Sequence, residues 1–177
     1  MLARWPYLMN YRSRAAIFFM NIPIQIASAE NVPGIVRLMR DFAEYEKLGQ
    51  YCDITEDKLA AVMFLDGAYV EGIVAFDDET MIAYALFYKS FASFRGQRGF
   101  YLEDIFIDSN YRGMGVGEAM LKKIAQAAKS QGGERIDFQV LDWNAPAISF
   151  YERLGAVSNQ DESHFKFSGD AFDRLAS

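Results

Sequence analysis

One cysteine, one histidine and four prolines are all that 177 residues offer of the types that cross-link, ligate or break a small fold. A lone Cys52 excludes an internal disulfide and every cysteine-rich metal site. A lone His164 excludes a histidine cluster or a catalytic pair of histidines, so no metal is expected. With no disulfide framework, a reducing, cytoplasmic compartment is the natural expectation. The apolar run from Ala15 to Met20 is far too short to cross a bilayer, so no membrane partner is expected. Basic charge is also scarce. The formal net charge is −6, which argues against a nucleic-acid partner and suits cationic small molecules, drawn in by an acidic surface.

What is present is an ordinary globular composition, 51% hydrophobic and 24% charged, in a length that suits one domain. Residues 1–21 stand apart, with Arg4, Arg12 and Arg14 and no acid. They read as an extension to a domain at 22–177, either an overlong start, a loosely docked or disordered extension, or a targeting segment without a clear cleavage site. From residue 22 onward strands and helices interleave. Residues 22–28 alternate as an opening strand, and Asn31 with Pro33 start a helix whose apolar stripe is Ile35, Leu38, Met39, Phe42 and Tyr45. A second helix begins at Thr55 and buries Leu59, Val62 and Met63. Strands follow at 68–76, 81–88 and 100–108. A long helix with Val116, Met120, Leu121, Ile124 and Ala128 on one face runs to Gly132-Gly133. Then come a strand at 135–141, a helix at 144–154 with Gly155 just past its end, and a final hairpin from 156–158 and 164–168. This order makes an α/β (α+β) protein, a mixed sheet covered on its faces.

The strongest chemical signal is Arg112-Gly113-Met114-Gly115-Val116-Gly117, between a strand and an amphipathic helix. Glycines there let a backbone approach a ligand and aim successive N–H groups into one concavity. The helix N-terminus adds unpaired amides and partial positive charge suited to a pyrophosphate, and Arg112 adds a guanidinium fork. No Gly-Lys-Ser/Thr follows, so this is not a P-loop. The spacing is also not that of a dinucleotide-binding fold. A glycine-rich turn without a ligand is the alternative for these residues taken alone.

Arg112-x-x-Gly115-x-Gly117 resembles the acetyl-coenzyme A signature of the GNAT superfamily of N-acetyltransferases. The resemblance implies acetyl-coenzyme A as co-substrate, its pyrophosphate on the amides of residues 112–117 and its pantetheine arm along Ile105, Phe106 and Ile107. It also implies the GNAT fold, a mostly antiparallel sheet of six to seven strands flanked by about four helices. Residues 143–156, WNAPAISFYERLGA, are similar to the second motif of that family. By residue type, Asn144 is a helix N-cap with Pro146 in the first turn, and Ile148 and Leu154 face the core. The resemblance gives Asn144 a cofactor contact as well. An aromatic at Tyr151 is by itself a core residue; the resemblance makes it the acid that protonates the departing thiolate. A phenol of pKa about 10 stays protonated at neutral pH and suits that task.

Over residues 22–170 the chain most resembles the spermidine/spermine and thialysine branch, through YLEDIFIDSNYRGMGVG (101–117), WNAPAISFY (143–151) and AEYEKL (43–48). That implies a small aliphatic amine acceptor and a homodimer. It also implies Glu103 as base, directly or through water, and Tyr45 and Glu46 as a grip on a cationic acceptor. On a regular strand Glu103 and its neighbour Asp104 point to opposite faces, so only one enters the cleft; the resemblance selects Glu103. Arg95 and Arg98, in the loop before that strand, depart from the polyamine pattern. They favour a short diamine or a lysine-like amino acid, whose carboxylate would pair with them, over spermine. The other readings are a protein N-terminus or another amine as acceptor, and a non-catalytic acyl-coenzyme A sensor.

Overall fold

A computed structural model describes residues 22–159 and 163–177. The basic segment 1–21 lies outside them. The chain divides into two compact units, one ending at Gln139 and one spanning Val140–Ser177.

The first unit holds a five-stranded sheet in sequence order: β1 (Ile24–Ile26), β2 (Glu71–Asp77), β3 (Thr80–Ala92), β4 (Gln97–Ile107) and β5 (Arg135–Asp137). The first four strands pair antiparallel, and β5 lies parallel to β4. Helix α1 (Val32–Tyr45) starts behind Asn31 with Pro33 in its first turn. Helix α2 (Glu56–Phe64) is capped by the Thr55 side chain, which accepts from the Lys58 amide. Both pack on one face of the sheet, where Ile35, Leu38, Leu59, Val74, Tyr84, Leu86 and Phe106 form one apolar cluster. Helix α3 (Val116–Ser130) packs on the opposite face, where Met120, Ile124 and Ala128 meet Ala85, Phe87, Phe100 and Leu102. Period-2 strands between period-3.6 helices therefore give three layers with two cores.

The second unit holds α4 (Ala145–Arg153) and α5 (Asp170–Ala176). Asn144 caps α4, its side chain accepting from the Ala147 amide at 3.4 Å. Gly155, at φ 92°, follows the C-cap, and the Ala156 amide turns back to the Tyr151 carbonyl. Leu154 is largely exposed rather than in the core.

The expected final hairpin does not form: the described residues at 156–159 and 163–168 carry no strand, so the sheet has five strands rather than six or seven. Phe165 and Phe167 alternate as a strand would, but they are 86% and 67% exposed and join no ladder. The flanking strands also differ in length. β3 runs on to Ala92 because it pairs with β4 down to Ala92↔Gln97, whereas β5 keeps only three residues because its register covers Gly99–Tyr101 alone.

Candidate active site

β4 carries two adjacent carboxylates, Glu103 and Asp104, and its register sets where they point. Leu86 of β3 lies opposite Asp104, while the next residue, Phe87, lies opposite Leu102. Glu103 is therefore the extra residue of a β-bulge, which interrupts alternation and re-aims a side chain. Tyr84 and Tyr88, four residues apart on β3, share the α1 face. The Tyr84 hydroxyl donates to Asp104 Oδ2 at 3.1 Å and the Tyr88 hydroxyl to Glu103 Oε2 at 3.4 Å. Both carboxylates thus lie on the α1 face. The expectation that Glu103 and Asp104 point to opposite sides fails, because the bulge removes the regular period it assumes.

Burial raises the Asp104 carboxyl to about 6; the Tyr84 hydrogen bond opposes this, and the negative charges of Glu103 and Glu46 add to it. Glu46, at the C-cap of α1, is itself raised by burial. Tyr84 is 0% exposed, and burial followed by the charge of Asp104 holds its phenol well above the usual range. Burial and then Glu103 push Tyr88 up to about 12. The face thus concentrates negative charge in a drying environment, which attracts a cation. Tyr45 sits at the edge of this cluster, but the Arg112 guanidinium lies 4.3 Å from its ring centroid and 5.2 Å from that of Phe106. The Tyr45 face is therefore already covered by a cation.

Beyond Tyr101, β4 has no strand neighbour on its β5 side among the described residues, so Ile105, Phe106 and Ile107 line an open strand edge there. The glycine turn follows. Gly113 (φ 73°) and Gly115 (φ 79°) both occupy the left-handed region, which β-branched side chains avoid. Gly115 is the N-cap of α3 and offers no capping side chain, leaving the first-turn amides at Val116 and Gly117 without one. Val116 is buried and anchors the turn, Met114 is partly exposed, and Arg112 Nε donates to the Ile107 carbonyl at 3.0 Å. These features fit a pyrophosphate and an extended thioester arm, and that fit comes from uncapped amides and an unpaired strand edge.

In the second unit Asn144 is buried and Tyr151 lies on α4, where burial raises its phenol to about 12. Arg95 and Arg98 are not grouped with the carboxylates. Arg95 sits in a 3-10 turn at the β3–β4 tip, and Arg98 alternates with Phe100 and Leu102, on the α3 face. Arg135 of β5, in register with Gly99 of β4, is the sheet arginine on the α1 face. Among the described residues, no group of three or more His, Cys, Asp or Glu is arranged to hold a metal ion.

Residue reading missed Tyr69, Tyr84, Tyr88 and Tyr101. The signal for two of them was available, since Tyr84 and Tyr88 must share a face in any strand that contains both.

Residues 35–156 match the acetyltransferase (GNAT) family, and the chain belongs to it. It is therefore an acyltransferase. The chain is 34% identical to the thialysine N-epsilon-acetyltransferase of Bos taurus over 88% of its own length and 97% of that protein. It is 32% identical to the enzyme of the same description from Mus musculus, over 86% and 96%. A solved integron cassette protein of V. cholerae shares the fold with a TM-score of 0.74 at 23% identity, covering 88% of this chain and 97% of the other.

Proposed function

We propose that this protein transfers the acetyl group of acetyl-coenzyme A directly to the primary amine of a small aliphatic diamine or lysine-like amino acid, in a ternary complex. The observation that carries the reading is the β4 bulge, which sets Glu103 and Asp104 side by side on one face. The relatives described as thialysine N-epsilon-acetyltransferases support the acceptor class.

An alkyl amine of pKa about 10.4 carries its lone pair in roughly one molecule of two thousand at pH 7. Glu103 takes the surplus proton, through a water because a carboxylate is a weak direct base toward ammonium. Asp104 and Glu46 supply the negative field that holds the cation. The freed nitrogen forms the C–N bond to the acetyl carbonyl as the C–S bond breaks and Tyr151 gives its phenolic proton to the departing sulfur; the second proton, lost by the nitrogen as it becomes an amide, returns through water to restore the phenol. A phenol at about 12 is a weaker acid than in water. Burial disfavours a thiolate as it does a phenolate, so desolvation of the leaving sulfur shifts donor and acceptor in the same direction. The amides of residues 113–117 would hold the pyrophosphate with Arg112, the β4 edge at Ile105–Ile107 the pantetheine arm, and Asn144 a further contact.

The protein is proposed to work in the cytoplasm as a homodimer. No helix among the described residues is long and apolar enough to cross a membrane. In the second unit Val157, Phe165, Phe167, Phe172 and Leu175 are exposed and suit contact with a second copy.

Thiol release from acetyl-coenzyme A across putrescine, spermidine, spermine, lysine and thialysine tests the reaction. Short diamines or lysine-like acceptors should lead. Clear preference for spermine, or activity only on peptide N-termini, would contradict the assignment. Glu103→Gln and Tyr151→Phe should each lower kcat by roughly 10²–10⁴ with acetyl-coenzyme A affinity unchanged. A near-normal kcat would remove the role from whichever residue showed it.

A further inference from the structure

Beside Glu103, a row of side chains crosses the sheet on the α1 face. Tyr69 lies two residues before β2, and its ring lies 6.3 Å from that of Tyr88 at 71°, edge to face. Tyr88 stacks on Tyr101 of β4 at 5.3 Å and 25°. Asp137 of β5 is in register with Tyr101 and continues the row. Its carboxylate is held by Arg135, whose Nε donates to Oδ1 at 3.0 Å and to Oδ2 at 2.8 Å. The Arg135 side chain reaches there across Gly99; a Cβ on Gly99 would come within 2.5 Å of Arg135 Cγ, so only glycine leaves the path clear. Tyr101 feels both ends of this arrangement. Its phenol is raised first by burial, then by the nearby charges of Glu103 and Asp137.

We propose that the Tyr69–Tyr88–Tyr101 row, ending at the Arg135–Asp137 pair, is the subsite for the distal end of the acceptor, and that it selects an alkyl chain ending in an α-amino-acid group. The proposal rests on the reaction assigned above and names its specificity element. It replaces Tyr45 as the aromatic partner of the acceptor, because the Tyr45 face already carries Arg112.

Three features fit this occupant. Tyrosine faces attract an ammonium and cover the methylenes that lead to it. Glu103 and Tyr101 are two residues apart, roughly 7 Å along a strand, a distance that an extended side chain of four or five atoms bridges. The row ends in fixed opposite charges rather than in acid alone. That end complements a zwitterion, whereas the second bare ammonium of a polyamine would meet Arg135. Tyr69 is 65% exposed, so the first ring of the row is accessible from solvent and can be changed without opening the core.

Steady-state kinetics at saturating acetyl-coenzyme A with thialysine, cadaverine and butylamine test the subsite. These acceptors share a primary alkyl amine but end in a zwitterion, an ammonium and a methyl group. The wild-type protein should use them in that order of kcat/KM. Tyr69→Leu should raise the KM for thialysine about 5- to 10-fold, within the range of a cation–π contact, with kcat and the KM for butylamine within about twofold of wild type. Tyr69→Phe, which keeps the ring, should restore the thialysine KM, and Tyr101→Leu should reproduce the Tyr69→Leu pattern. An unchanged thialysine KM in folded Tyr69→Leu protein would overturn the subsite, as would an equal rise for butylamine or a wild-type preference for cadaverine. Wild-type protein that acetylates none of the three would overturn the amine reaction itself, and the subsite with it.

Discussion

The two faces of one sheet differ in kind. On the α3 face, Ala85, Phe87, Phe100 and Leu102 meet Met120, Ile124 and Ala128, and no titratable group is part of that cluster. On the α1 face the same strands bury Asp104 beside Tyr84 and bring Glu103 and Glu46 close to it. The α3 face stays apolar even where the β2–β3 register shifts at Ile82, and it is only a core. The α1 face is a core as well, but beside the bulge at Glu103 the desolvated carboxyl of Asp104 stands where an apolar side chain would stabilise more. Both faces are cores, but only the α1 face also carries the carboxylates assigned above to the reaction. Substitutions on the two faces should therefore separate folding from turnover.

The largest effect should come from the α3 face. Ile124 is fully buried, and Ile124→Ala should cost roughly 2–5 kcal/mol in denaturant unfolding while kcat of the folded protein stays within about twofold. A large loss of kcat with little loss of stability would break the division. A smaller cost is expected where the faces meet the glycine turn. Gly115 sits at φ 79°, and Gly115→Val should lose about 1–3 kcal/mol of stability from backbone strain. Its affinity for acetyl-coenzyme A by calorimetry should fall far more than that stability loss suggests. Unchanged affinity in a folded variant would take the turn out of the site.

Much of this was legible along the chain, for a local reason. Helix α3, its glycine start, the Thr55 and Asn144 caps and the Gly155 stop depend on neighbours within a few residues, and they lie where residue types put them. The bulge at Glu103 depends on how β4 registers against β3, a partner some fifteen residues away in sequence, and no pattern within β4 announces it. The arginines went astray for the same reason. Arg98 looked like an acceptor contact from its position before the strand, but strand alternation turns it to the α3 face. Arg135, on a strand reached through a whole helix, arrives opposite Gly99 and holds the Asp137 that faces Tyr101. The alternating Phe165 and Phe167 suggested a strand, but alternation specifies a face and not a partner to pair with.

The pH dependence sharpens the contrast. Asp104 is raised from 3.8 to about 6 by burial, so the folded state binds its proton more tightly than the unfolded chain does. The stability it contributes is present below about pH 4 and lost as pH rises through 6, while its negative charge, needed to hold a cation, appears over the same interval. Acceptor kcat/KM should therefore rise with pH through an apparent pKa near 6 as stability declines.

The most direct measurement takes Asp104→Asn and wild type side by side at pH 8, recording unfolding free energy and acceptor kcat/KM on the same preparations. The amide can still accept the Tyr84 hydroxyl but carries no charge. The variant should be more stable by roughly 1–2 kcal/mol and poorer in kcat/KM by about tenfold, with the limb near pH 6 gone. A variant that is less stable and equally active would contradict the account, for Asp104 would then belong to the fold and not to the chemistry.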